Sequence, residues 1–154
     1  MSSKTRAVLT AGVLAVALGL GATAQASAGA PRTVSGSPAD DITRIADFYG
    51  AYIDAESDPD TAGELPTALR AYYIAPACLK KLAAWENREH ADGVLRAQNT
   101  PFKWKVTDNG TADNRTEAVV TLTWGSNSPT KLVVDMNRRT HKIIDIGTTG
   151  LGGK

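Results

Sequence analysis

Cysteine is almost missing from this chain: Cys78 stands alone among 154 residues. A disulfide framework needs thiols in pairs, so the fold must be held by packing. Histidine is nearly as scarce. His90 and His141 are the two present, and with one cysteine they make a poor set for a zinc site. Charge of one sign is not in surplus either, the formal total being +1. Nucleic-acid binding rests on a basic patch that displaces counterions, and the composition argues against it. The glycine signatures of a P-loop or a dinucleotide fold are absent, and no serine sits in a nucleophile elbow.

What is present begins with the first segment. Lys4 and Arg6 precede an apolar run from Ala7 to Leu20, followed by Ala24-Gln25-Ala26 and Ala26-Ser27-Ala28. This order is that of a secretory signal peptide with A-x-A cleavage sites. The run is too short and too diluted by Gly and Thr for a spanning helix of about 20 residues. The expected layout is a signal peptide over 1–28, a linker over 29–37, one domain over 38–148 and a flexible tail over 149–154. The expected location is extracellular, with no stable membrane anchor. Lys4 and Arg6 are the only charged residues of the leader, so without it the formal charge becomes −1. Cys78, within Ile74-Ala75-Pro76-Ala77-Cys78-Leu79, reads as a buried small hydrophobe. An intermolecular disulfide and a reactive thiol are its alternatives.

Helical signals come first. Ser37-Pro38-Ala39-Asp40 offers a cap, a proline suited to a first turn and an acid at the positive dipole end. Ile42, Ile45, Tyr49 and Tyr52 repeat at helical spacing beside Phe48 and Ile53, which predicts a helix to about Ala55. Leu65, Leu69, Tyr72 and Tyr73 predict a second from about Glu64. Pro76 ends that one and opens a third, with Leu79, Leu82, Ala83 and Trp85 on its buried face. Residues Asp92 to Gln98 read as one more helical turn or a tight loop, with Asp92 as a cap whose loss costs about 1 kcal/mol. Gln98 is expected to bind backbone there, making the 92–101 segment a clamp; the alternative is a loop that shapes the mouth of the cone.

The period then changes to two. Phe102, Trp104 and Val106 form one expected buried set, followed by Ala118, Val120, Leu122 and Trp124, then Leu132, Val134 and Met136. The last strand is placed over His141 to Ile146. Loops are expected at Asn109-Gly110, at Ser126-Asn127-Ser128-Pro129 and at Asn137-Arg138-Arg139. Alternation of this kind buries one sheet face, as antiparallel sheets do. The fold class is α+β, with N-terminal helices packed on a four-stranded antiparallel meander. Lys103, Lys105, Lys131 and Arg138 read as a solvated sheet face.

Ile45 to Tyr52, Tyr72 to Leu82, Asp92 to Trp104 and Lys142 to Ile146 carry a family resemblance covering about Asp40 to Thr148. The chain resembles small exported bacterial proteins of unknown function with the cystatin-like cone fold of the nuclear transport factor family. The resemblance implies a curved sheet wrapped on the helices, a pocket at the mouth of the cone and dimerisation through the outer sheet face. On that face lie Lys103, Lys105, Thr107, Thr121, Thr123 and Lys131. It implies no catalytic set. Asn109-Gly110-Thr111 and Asn114-Arg115-Thr116 match glycosylation sequons and, in a bacterial protein, mark turns.

The candidate pocket residues are Tyr49, Tyr52, Tyr72, Trp104, Trp124 and Asp135, set against the plainer reading of the aromatics as core. The leading expectation is a secreted, non-enzymatic binding protein whose partner is a small apolar molecule or another exported protein. The rival is a small cofactor-free isomerase, dehydratase or hydrolase using Tyr49 or Tyr52 with Asp135 or Asp145. Ketosteroid isomerases, relatives by fold, use such groups, but no residue matches theirs one to one. No cofactor, metal or nucleic acid is expected. Glu86, Glu89 and His90 share a helix end, read as exposed rather than metal-binding.

Overall fold

The computed structural model describes residues 33–125 and 129–148. The expected signal peptide, the first part of the linker, Ser126-Asn127-Ser128 and the 149–154 tail lie outside the described residues. The helices and strands of the described residues fall in the unit that begins at Val34.

Helix α1 spans Asp41–Ser57. Its cap is Asp40 rather than Ser37: Asp40 Oδ1 accepts the Thr43 N–H at 2.7 Å, and Ser37 instead starts a turn in which its carbonyl accepts the Asp40 N–H at 3.0 Å. The helix buries Ile45, Phe48, Tyr49, Tyr52 and Ile53 on one stripe, the stripe that 3.6-residue periodicity dictates. Pro59 opens α2, Pro59–Ala62, a single turn that the sequence reading missed. Helix α3, Leu65–Tyr73, is shallower than expected. Leu65 and Tyr72 are 48% and 58% exposed, and Leu69 and Tyr73 alone among its apolar residues pack on the core. Helix α4, Pro76–Glu89, starts at its proline as expected and buries Cys78 and Leu82, whereas Ala83 faces outward. His90 ends it in the left-handed region, with φ 52.

The strands are β1, Lys103–Ala112; β2, Arg115–Thr123; β3, Thr130–Asn137; and β4, Lys142–Gly147. They form one antiparallel sheet in the order β1-β2-β3-β4, so the chain is an α+β fold. Ala118, Val120, Leu122, Leu132, Val134 and Met136 are fully buried beneath the helices. The first hairpin differs from expectation. Asn109-Gly110 is not the loop; pairing runs on to Ala112↔Arg115, and the register shifts between Asp108 and Gly110. Asn109 is therefore a bulge, and the turn is made by Asp113, at φ 52, and Asn114. Asp tolerates that conformation better than most residues. A second bulge at Ile144 offsets β4.

The largest correction concerns β1. Phe102 is 79% and Trp104 39% exposed, and of the expected buried set Val106 alone packs on the core. As an edge strand, β1 has a sheet neighbour on one side only. Alternation tells which way a side chain points, not whether anything covers it.

Candidate functional site

The six candidate pocket residues do not meet in one place. Tyr49 and Tyr52 lie inside with Phe48, all at 0% exposure, as members of the hydrophobic core. Tyr49 Oη donates to the Val94 carbonyl at 3.3 Å and Tyr52 Oη to Asp92 Oδ2 at 2.6 Å. Burial, and then the Asp92 charge, push both phenols above their ordinary range. Tyr72 is a surface ring, covered by Lys142 Nζ at 4.7 Å and the Arg44 guanidinium at 5.8 Å from its centroid. Trp124 is half-buried and donates its indole N–H to the Asn99 carbonyl at 3.1 Å. Asp135 alternates with the core residues Val134 and Met136 and therefore sits on the other sheet face. There it pairs with Arg115 at 2.8 Å. Burial raises its carboxyl above the usual range, opposed by Arg115 and reinforced by Glu117 and Asp145. A Tyr–Asp135 acid–base pair is thus not assembled, because the sheet lies between them.

Two polar clusters tie the elements together, the first foreseen in part from the sequence and the second not at all. The first lies in a cleft of about 790 Å³ between α1, α3, α4 and the 92–100 segment. Arg70 donates to Glu86 Oε1 at 2.6 Å and stands 4.0 Å from Asp92. Glu86 Oε1 also accepts the Gly93 N–H at 2.8 Å, and Asp92 Oδ1 accepts the Leu95 N–H at 2.6 Å. A Cβ on Gly93 would come within 2.8 Å of Glu86 Oε1, so a side chain there would displace the Glu86 carboxylate. Gln98 Nε2 donates to the His90 carbonyl at 3.3 Å. The 92–101 segment is therefore the clamp expected, with Tyr52, Arg70 and Glu86 as further parts. The Tyr52 proton is already committed to Asp92.

The second cluster joins α1 to the sheet. Asp41, 8% exposed, accepts the Thr116 hydroxyl on Oδ2 at 2.7 Å and meets His141 Nδ1 through Oδ1 at 2.7 Å. A carboxylate behind an imidazole can orient it for proton transfer. The Thr116 hydroxyl, however, points to the carboxylate and not to the ring, so it is not placed as a nucleophile. Glu86 and His90 do not converge as ligands, and no trio of His, Cys, Asp or Glu is arranged for a metal among the described residues.

The apolar concavity is elsewhere. A groove of about 920 Å³ lies among the 34–38 segment, α1 and β1, lined by Val34, Ile42, Ala46, Gly50, Trp104 and Val106 among others. The small residues keep the helix surface low. At Gly50 a Cβ would come within 3.0 Å of the Trp104 ring, so glycine lets the indole approach α1 closely. The two sheet edges contrast. On β4 the Ile143 carbonyl accepts the Ala75 N–H at 2.8 Å and the Ile146 carbonyl accepts from Arg96 at 2.6 Å. On the outer edge of β1 no backbone pairing occurs among the described residues.

Among solved structures, the chain is similar to a protein of unknown function from Bacteroides thetaiotaomicron VPI-5482, determined at 2.10 Å resolution. The two share 21% sequence identity and a TM-score of 0.56, over 69% of this chain and 87% of that one. That likeness shows the fold alone. No protein-family model and no curated protein matches the sequence. Among the described residues, no helix is long and apolar enough to cross a membrane.

Proposed function

We propose that this chain is an exported, non-enzymatic binding domain of the cystatin-like cone type. It takes an extended segment of another exported protein along the open edge of β1. The observation that carries the reading is a strand edge without backbone pairing among the described residues, with an apolar groove beside it. Strand addition draws affinity from main-chain hydrogen bonds and specificity from pockets for alternate side chains. Here β1 offers the hydrogen-bonding edge, and Trp104, Val106, Ala46 and Ala51 offer the wall for alternate side chains. The Asn109 bulge limits the regular edge to Lys103–Asp108, since a bulge twists the strand away. A small apolar ligand draws less support, because Tyr49, Tyr52 and Phe48 are buried in the core and the apolar concavity lies beside β1. The enzymatic rival draws less support, because the Tyr52 proton is held by Asp92 and Asp135 lies on the far face. The leader ending at Ala28 supports export.

Peptide-display selection on the chain from residue 29 onward tests this. Selected peptides should bind the parent protein and lose binding to Trp104→Ala and to Ala51→Arg, which fills the groove. Peptides that bind both variants as tightly as the parent would overturn the proposal.

A further inference from the structure

The charges around the β1 edge define what kind of segment it accepts. Alternation puts Trp104 and Val106 on the helix side of the sheet and Lys103 and Lys105 on the outer side. The register sets Lys105 opposite Thr121, and Thr121 opposite Lys131. Lys103, Lys105 and Lys131 therefore share one end of the outer face. All three are exposed, and none forms an ion pair among the described residues. The carboxylates of that face lie at its other end, where Glu117, Asp135 and Asp145 sit in cross-strand register. Arg138, in the hairpin beyond β3, is seven residues from Lys131, about 23 Å along the strand, and stands outside the lysine group. The opposite wall of the groove is acidic, with Asp47 and Asp54 on α1.

A strand added beside β1 shares the pleat of its neighbour. Its outward side chains lie next to Lys103 and Lys105, and its inward side chains face α1. Opposite charges across strands stabilise pairing, and like charges directly opposed destabilise it. Antiparallel self-pairing of β1 centred on Lys105 sets that lysine against its own copy, so the edge disfavours a second copy of this chain in that register. Lysine on an edge strand is also a known guard against such pairing.

We propose that the partner segment is a β-strand with acidic residues on its outward positions and apolar residues on the positions facing α1. A segment acidic on both faces is excluded by Asp47 and Asp54. This inference rests on the edge-binding reading above and adds the chemistry of the partner.

The test uses the chain from residue 29 onward and three synthetic peptides of about nine residues, alternating Val with Glu, Lys or Ser, a length that covers the regular edge. The Glu/Val peptide should bind at least about fivefold more tightly than the Ser/Val peptide, the scale of exposed ion pairs, and this gap should shrink at high salt. In Lys105→Glu, an exposed position whose fold is checked by circular dichroism, the preference should reverse toward the Lys/Val peptide. Equal binding of all three peptides overturns the charge inference and leaves the edge reading standing. Binding of none overturns both. Glu/Val binding unchanged by Lys105→Glu, or matched by a short DNA duplex on the same residues, also overturns the inference.

Discussion

Replacing Asp92 by alanine removes more than a cap. The Leu95 N–H loses its acceptor on Oδ1, and Tyr52 Oη loses its acceptor on Oδ2. Loss of a cap costs about 1 kcal/mol. A fully buried hydroxyl left without a partner adds about 1–3 kcal/mol. The Arg70 contact, at 4.0 Å with both side chains 21% exposed, adds little on the scale of solvent-screened ion pairs. The expected total is about 2–4 kcal/mol. With a urea m-value of about 1.5 kcal/mol/M, the unfolding midpoint falls by about 1.3–2.7 M. A second substitution separates the two parts. Tyr52→Phe in the parent removes a hydrogen bond to a charged acceptor and should cost about 1.5–3 kcal/mol. In the Asp92→Ala background the same change removes an orphaned hydroxyl and should be neutral or stabilising. The assay is urea unfolding of the chain from residue 29, followed by far-ultraviolet circular dichroism. An Asp92→Ala cost of only about 1 kcal/mol, or additive costs in the double variant, would refute the shared network.

Other consequences are equally open to measurement. Burial holds Tyr49 and Tyr52 above their ordinary ionisation range, while the unfolded chain ionises them near pH 10. Their contribution is intact below pH 10 and should decline above it, by about 1.4 kcal/mol per pH unit for each ring; flat stability between pH 10 and 11 would contradict this. Burial pushes the Cys78 thiol up to about 11, so a thiol-specific reagent at pH 8 should label it only in urea. Labelling of the native protein at the unfolded rate would contradict the buried site. Gly50→Ala should gain about 1 kcal/mol of helix propensity while the added methyl displaces the Trp104 indole. Peptide binding should weaken although stability holds or rises, and unchanged binding would remove Gly50 from the groove.

The parts of this fold that rest on local chemistry were legible. Helix α4 starts at Pro76 because proline suits a first turn, and the α1 stripe from Ile45 to Ile53 follows from period alone. Asp92 was readable as a cap for the same reason. Its second partner, Tyr52, was not, because 40 residues separate them and only the packing of α1 against the 92 segment joins them. The Asp41–His141 contact spans 100 residues and left no sequence signal. Asn109-Gly110 misled because such a dipeptide suits a hairpin turn. Here Asp113 and Asn114 turn the chain, and Asn109 becomes a bulge whose side chain donates to Glu117. Asp135 was placed among apolar neighbours correctly, but strand alternation turns it away from them. Trp104 shows the limit most plainly. Its phase in the pattern was right and its burial was not, since a strand with one neighbour leaves Trp104 39% exposed.

The measurement that bears most directly on the central claim is amide chemical-shift mapping of the 15N-labelled chain during titration with the Glu/Val peptide. Binding along the β1 edge concentrates the shifts at Phe102–Thr107 and across the groove at Ala46–Ala51. Shifts concentrated around Arg70, Glu86 and Asp92, with β1 unmoved, would contradict it.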